Sequence, residues 1–151
     1  MWVDRRGSEI LPRAECLRLV ALAANQHAVG RLGLSTRGSP VIVPVNFSYR
    51  DSTVLLRLGP ATAARAAGNL VSFEVDRIDE EAAQGWSVLI RGLALGLDPG
   101  EGRRWRRCLP QPLIPIPGDD LLSIRADVVT GRRFPIDRRP ARPATTVGEG
   151  T

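Results

Sequence analysis

The chain has no lysine: all 21 of its basic side chains are arginine. Arginine stays charged at any accessible pH and grips phosphate as a planar, bidentate fork. Any anion bound here must be held by arginine, backbone N–H groups or hydroxyls. A general replacement of lysine by arginine across the composition accounts for the absence without invoking function. Cysteine is scarce too. Cys16 and Cys108 are too few for a disulfide framework, so the expected setting is a reducing cytoplasm. Histidine occurs once, as His27. It has no Ser/Asp or Cys partner at a readable spacing, which argues against a catalytic triad or a metal site. No apolar run approaches the ~20 residues that a membrane helix needs. Residues 1–6 lack the apolar core of a signal peptide.

What is present suits one globular domain. The 151 residues carry a net charge of +5, and a chain of this length buries enough surface to need no covalent staple. Residues 12–24 predict a helix, with Cys16, Leu17, Val20 and Ala24 on one face. Residues 30–35 predict a first strand and residues 39–49 a cleaner one. In the latter Val41, Val43, Val45, Phe47 and Tyr49 alternate with Ile42, Pro44, Asn46 and Ser48. A short turn leads to a hairpin partner at 53–58. Gly59-Pro60 breaks that strand, and Ala-rich residues 61–67 predict a short helix ended by Gly68-Asn69.

Two neighbouring strands follow, at 71–79 and 85–92, joined by an acidic, turn-rich link. Residues 86–97 are apolar on both faces, as expected of a barrel wall that also meets a partner subunit. Asp98-Pro99 predicts an N-cap and first turn for a helix through Arg107. A Pro-rich connector at 110–117 leads to a last strand at 121–129. The domain is expected to span 1–134. The tail at 135–151 is rich in Pro, Arg, Thr and Gly and is expected to be disordered. Many strands and few helices predict a mainly β fold, a barrel rather than a βαβ sheet.

The order of short motifs carries a further signal. Leu11-Pro12-Arg13 opens the helix, followed by Gly30-Arg31-Leu32, Pro44-Val45-Asn46-Phe47, Arg57 and Gly59-Pro60. Phe73-Glu74-Val75-Asp76, Gly85-Trp86-Ser87-Val88, Arg91-Gly92 and Val129-Thr130-Gly131-Arg132 complete the series. In this order the chain resembles the pyridoxamine 5′-phosphate oxidase-like family over roughly residues 8–133. The resemblance implies a six-stranded split β-barrel that forms a homodimer. It also implies an FMN or deazaflavin cofactor at the dimer interface and redox chemistry on a small molecule. A flavin ring performs the redox step itself, so the scarcity of acid–base and nucleophilic side chains fits.

The resemblance also points to site residues. The backbone of Pro44, Val45 and Asn46 would run along the flavin, with Asn46 adding an amide; the alternative is that Asn46 faces solvent or a turn. Arg57, at a strand end, suits the cofactor phosphate; otherwise it is a solvated rim charge. The family pattern continues with a small or hydroxyl residue and then Lys or Arg. Here Ala63 takes the basic position, Thr62 keeps a hydroxyl, Arg65 is displaced round the helix, and Leu58 stands where Thr is frequent. The missing charged hydrogen bond weakens phosphate binding by about one to two decades. Ser87 aligns with a flavin-bonding position. Trp86 would stack near the cofactor or pack in the core or interface.

Glu74 and Asp76 share one strand face, and an ion pair with Arg91 or Arg57 is the simpler account of them. Arg103, Arg104, Arg106 and Arg107 surround Trp105, but no nucleic-acid-binding motif accompanies that cluster. Three functions follow in order: a flavin-dependent oxidoreductase, a flavin carrier or sensor without turnover, and, a distant third, a nucleic-acid-associated module.

Overall fold

A computed structural model describes residues 2–115 and 118–136. Among these the strands are β1 (Trp2–Val3), β2 (Glu9–Ile10), β3 (Gly30–Thr36), β4 (Ser39–Arg50), β5 (Thr53–Leu58), β6 (Leu70–Asp79), β7 (Gln84–Gly96), β8 (Asp120–Arg125) and β9 (Val128–Pro135). The helices are α1 (Arg13–Asn25), α2 (Pro60–Ala66) and α3 (Pro99–Trp105).

Six strands close a barrel in the order β3-β4-β5-β8-β7-β6, with β6 returning to β3. Closure depends on β7, which changes partner along its length. Residues 84–91 of β7 pair with β9, and residues 94–96 pair with β8. Gly92 sits at the change. A Cβ there would collide with the Arg125 carbonyl, so the wall turns this corner only without a side chain. The expected single strand at 121–129 is therefore two strands. Ala126-Asp127 breaks it, and the Ala126 N–H donates to the Ser52 carbonyl at 2.9 Å. β9 runs on through Pro135, just past the expected domain end; the rest of the expected tail, 137–151, lies outside the described residues.

Alternation decides which side chains fill the barrel. Leu32, Leu34, Val45, Phe47, Val54, Leu56, Leu58, Val71, Phe73, Val75, Val88, Ile90, Ala94, Leu122 and Ile124 form its interior. Phe47 and Phe73 meet edge to face, ring centroids 4.8 Å apart. Gly30 leaves room for the Phe73 ring, which a Cβ would strike. α1 packs on β4, β7 and β9 through Cys16, Leu19, Val20 and Ala23. Its first turn is tied to β9 by Glu15, which accepts from Arg133 at 2.8 Å and from Arg18 at 2.7 Å.

The outer face of the barrel divides in two. On one side no described segment packs on β3, β6 and the adjoining parts of β4, β7 and β9, where Ile42, Leu70, Leu93 and Val128 are exposed. On the other, the connector after β7 straps across β4, β5 and β8. The strap begins with α3, whose N-cap Asp98 and Glu101 form a reciprocal capping box. The helix ends at Trp105, short of the expected Arg107. Trp105 is buried, which leaves Arg103, Arg104, Arg106 and Arg107 exposed with no aromatic free between them.

Three alternate residues of β4 then hold the strap. Arg50 Nη1 donates to the Arg104 carbonyl at 2.8 Å, and Ser48 Oγ donates to the Cys108 carbonyl at 2.5 Å. Asn46 Oδ1 accepts from the Leu113 and Ile114 N–H groups at 3.0 and 3.1 Å, while its Nδ2 donates to the Ile114 carbonyl at 3.1 Å.

Two outcomes follow. Replacing Asn46 by Ala removes three hydrogen bonds and leaves the Ile114 N–H and carbonyl unpaired, while the Leu113 N–H keeps the Gln111 carbonyl; the cost is about 2–4 kcal/mol. Amide exchange at Ile114 should then accelerate while exchange in β6 and β7 stays slow; equal acceleration everywhere would contradict a local strap. The second outcome concerns acid. Hydrogen bonds from Arg18 first, and then Arg133, lower the Glu15 pKa from 4.5 to about 2. A depressed carboxylate stabilises the fold above its unfolded pKa and loses that contribution as pH falls through the folded value. Stability should therefore drop between pH 4.5 and about 2. E15Q should flatten part of that drop in acid-unfolding curves, and an unchanged slope would remove Glu15 from the account.

Candidate functional site

The residues expected to form a site sort by strand face. Val45 and Leu58 point into the barrel, at 0% and 1% exposure. Trp86 shares its strand parity with Val88 and packs against the core near Leu22 and Gln26 of the α1 end. Ser87, next along the chain, points to the opposite, outer face, so Trp86 and Ser87 cannot face one ligand in the same chain. Pro44, Asn46 and Arg57 also point outward. Asn46 and Arg57 are direct partners across β4 and β5, and Pro44 lies two residues along on the same face.

Asn46 does not face solvent. It is 1% exposed, and its amide is committed to the strap. Arg57 lies at the strap's end, with its side chain 21% exposed against about half for Arg31, Arg50 and Arg132. Its Nη1 donates to Asp119 at 2.9 Å. Its Nε is buried and has no partner among the described residues. An unmet buried N–H is costly even on a part-buried side chain, and an acceptor there would relieve it. Among the expected site residues it is the one with a buried, unpartnered polar atom in the described structure, and a phosphate oxygen is an acceptor of suitable chemistry.

α2 follows directly. Thr62 is half-buried and Arg65 exposed. Ala63, expected at the missing basic position, is 8% exposed and belongs to the core-facing side of α2 with Ala66. Its side chain is packing, so a cation at 63 would be set against the core.

Glu74 and Asp76 pair with neither Arg91 nor Arg57. Both meet Arg31 of β3, at 3.0 and 3.5 Å. β3 lies beside β6 in the sheet, and Arg31 is in register with Glu74. Burial first, and then the Asp76 charge, raise the Glu74 pKa. The cluster sits on the bare outer face. Glu74 itself lines a cleft of about 460 Å³ together with Ser87, Leu89, Thr130 and Arg132. His27 is exposed in the turn after α1, with a left-handed φ of 53°. Among the described residues no helix is long and apolar enough to cross a membrane.

Sequence reasoning missed Asp119 and Arg31. The acidic pair Asp119-Asp120 after Gly118 was a readable signal of a turn into a strand. The pairing of Arg31 with Glu74 depends on strand order, which no local pattern encodes.

The comparisons agree with this geometry. The profile of the pyridoxamine 5′-phosphate oxidase family matches residues 12–133. An uncharacterised Mycobacterium tuberculosis protein, Rv0080, is 34% identical over 137 residues, which span 85% of this chain and 87% of the relative. The solved FAD-binding protein of Mycobacterium smegmatis superposes with a TM-score of 0.69 at 30% identity, covering 84% of this chain and 98% of that one. A putative pyridoxamine 5′-phosphate oxidase from Corynebacterium glutamicum superposes with a TM-score of 0.70 at 22% identity, over 90% and 99% of the two chains, and so shares the fold. The closed six-stranded barrel, the motif order and the profile match together place this chain in the pyridoxamine 5′-phosphate oxidase family.

Proposed function

We propose that this protein binds a flavin nucleotide as a homodimer and uses it for redox chemistry on a small molecule. The observation that carries the reading is Arg57, a part-buried guanidinium with an unpartnered Nε. It lies beside the Pro44–Asn46 strand, whose backbone would border the ring. The Mycobacterium smegmatis relative named as FAD-binding supports a flavin, so FAD joins FMN and a deazaflavin as the nucleotides to test. When bound, the ring supplies the electron transfer. The chain's own part is to bind and orient: Arg57 holds the anionic tail, and β4, pinned from outside by the strap, offers a rigid edge.

The homodimer is supported by the bare outer face. Ile42, Leu70, Leu93 and Val128 are 74%, 78%, 38% and 45% exposed on β4, β6, β7 and β9. Apolar exposure of this kind on one sheet face marks an interaction surface. A second copy on it would bring another outer face, with its Ser87, towards the first chain's flavin. The packing role of Ala63 favours a second reading, a flavin carrier or sensor without turnover, because α2 then completes no second phosphate contact.

Absorbance titrations with FMN, FAD, a deazaflavin and riboflavin test the reading, and light scattering should give twice the 16.4 kDa chain mass. R57L should weaken FMN binding about tenfold or more while leaving riboflavin binding unchanged. Binding without turnover of any reduced donor supports the carrier. A protein that binds no flavin at tens of micromolar rejects both.

A further inference from the structure

We propose that the cavity between α3 and the β4–β5 turn binds a phosphate group, free or on a small ester, at a site separate from Arg57. The inference does not rest on the flavin reading above.

The cavity has a volume of about 210 Å³. Its floor is one row of the strapped sheet face. Arg50, Thr53 and Arg125 are in register across β4, β5 and β8. That register sets the two arginine Cα atoms about 10 Å apart, with the threonine between them. Residues directly opposite each other leave a sheet on the same side, so two guanidinium groups and a hydroxyl share one space. Ser123 adds a second hydroxyl, and Arg104 and Trp105 of α3 close the cavity from above. Three guanidinium groups therefore line it, with two carboxylates that already have partners. Asp51 meets Arg50 Nε at 3.3 Å. Glu101 is taken up by the capping box, where it accepts from the Asp98 N–H at 3.0 Å. Among the described residues Arg104 and Arg125 meet no carboxylate. A tetrahedral oxyanion presents acceptors in several directions, which suits forks arriving from β4, β8 and α3.

Backbone contacts hold the walls in place. Arg50 Nη1 fixes the α3 end through the Arg104 carbonyl at 2.8 Å. The β4–β5 turn consists of Asp51 and Ser52, both left-handed with φ 49° and 58°, a conformation that non-glycine residues adopt at a cost. The Ser52 carbonyl accepts from the Ala126 N–H at 2.9 Å. This bond ties the turn to the residue after Arg125 and keeps the arginine row in register. Arg50 lies four residues along β4 from Asn46, the partner of Arg57, a separation of about 13 Å. A phosphate in this cavity does not reach Arg57.

Amide NMR of the full chain during titration with inorganic phosphate, at constant ionic strength set by chloride, tests this residue by residue. The Thr53, Ser123 and Arg125 amides should shift together and saturate, whatever happens near Arg57. R104Q/R125Q should weaken that binding about tenfold or more. R103Q/R106Q removes the same charge from α3 without touching the cavity lining, and should leave the affinity unchanged. All four arginines are exposed, so neither pair threatens the core. A repeat with glycerol 3-phosphate separates the sources: tighter binding than phosphate names an ester as the ligand, weaker binding names the free ion, and either supports the site. No saturable shift at tens of millimolar phosphate overturns the proposal. So does equal weakening in the two double variants, which would reduce the effect to overall charge.

Discussion

The amide of Asn46 is the contact on which the strapped side of this molecule depends. It is buried on the outside of the barrel and bonds both ways to the connector backbone. With Ser48 and Arg50 it forms a polar row along one face of β4, each residue fixing a different point of the strap. That row converts an outer strand face into a covered one. Arg57 is the register partner of Asn46 and lies beside that covered row. A charge left fully on the surface would be screened by water and salt.

Most of the barrel was legible in the chain because strands with one face inward carry a period of two. β3, β4 and β6 show that period most clearly, and the Val43, Val45, Phe47 series points inward as the alternation requires. What could not be read was partner choice. β7 reads as a single apolar strand, yet it serves β9 with one part and β8 with another. The change at Gly92 is set by a backbone collision with a residue more than thirty positions away. The short strands β1 and β2 owe their existence to the free edge of β9, not to any pattern of their own.

The same limit applies to the site. Residue type and family order pointed to Arg57, and the fold leaves its buried Nε without a partner among the described residues. They also pointed to Trp86 and Ser87, whose side chains face opposite sides of β7. The missing basic residue at Ala63 has a physical explanation: that side chain faces the core. The partners that matter most, Arg31 for Glu74 and Asp119 for Arg57, come from strand order and from a loop closing over a corner. Neither is encoded within a window of a dozen residues.

The central claim is that Arg57 Nε waits for a phosphate oxygen. Its most direct test is to follow the Arg57 Nε–H signal by ¹⁵N-resolved NMR while FMN and, separately, riboflavin are added. The account predicts a large shift and slowed solvent exchange with FMN and almost none with riboflavin. An unmoved Arg57 signal in a sample that has bound FMN would contradict it.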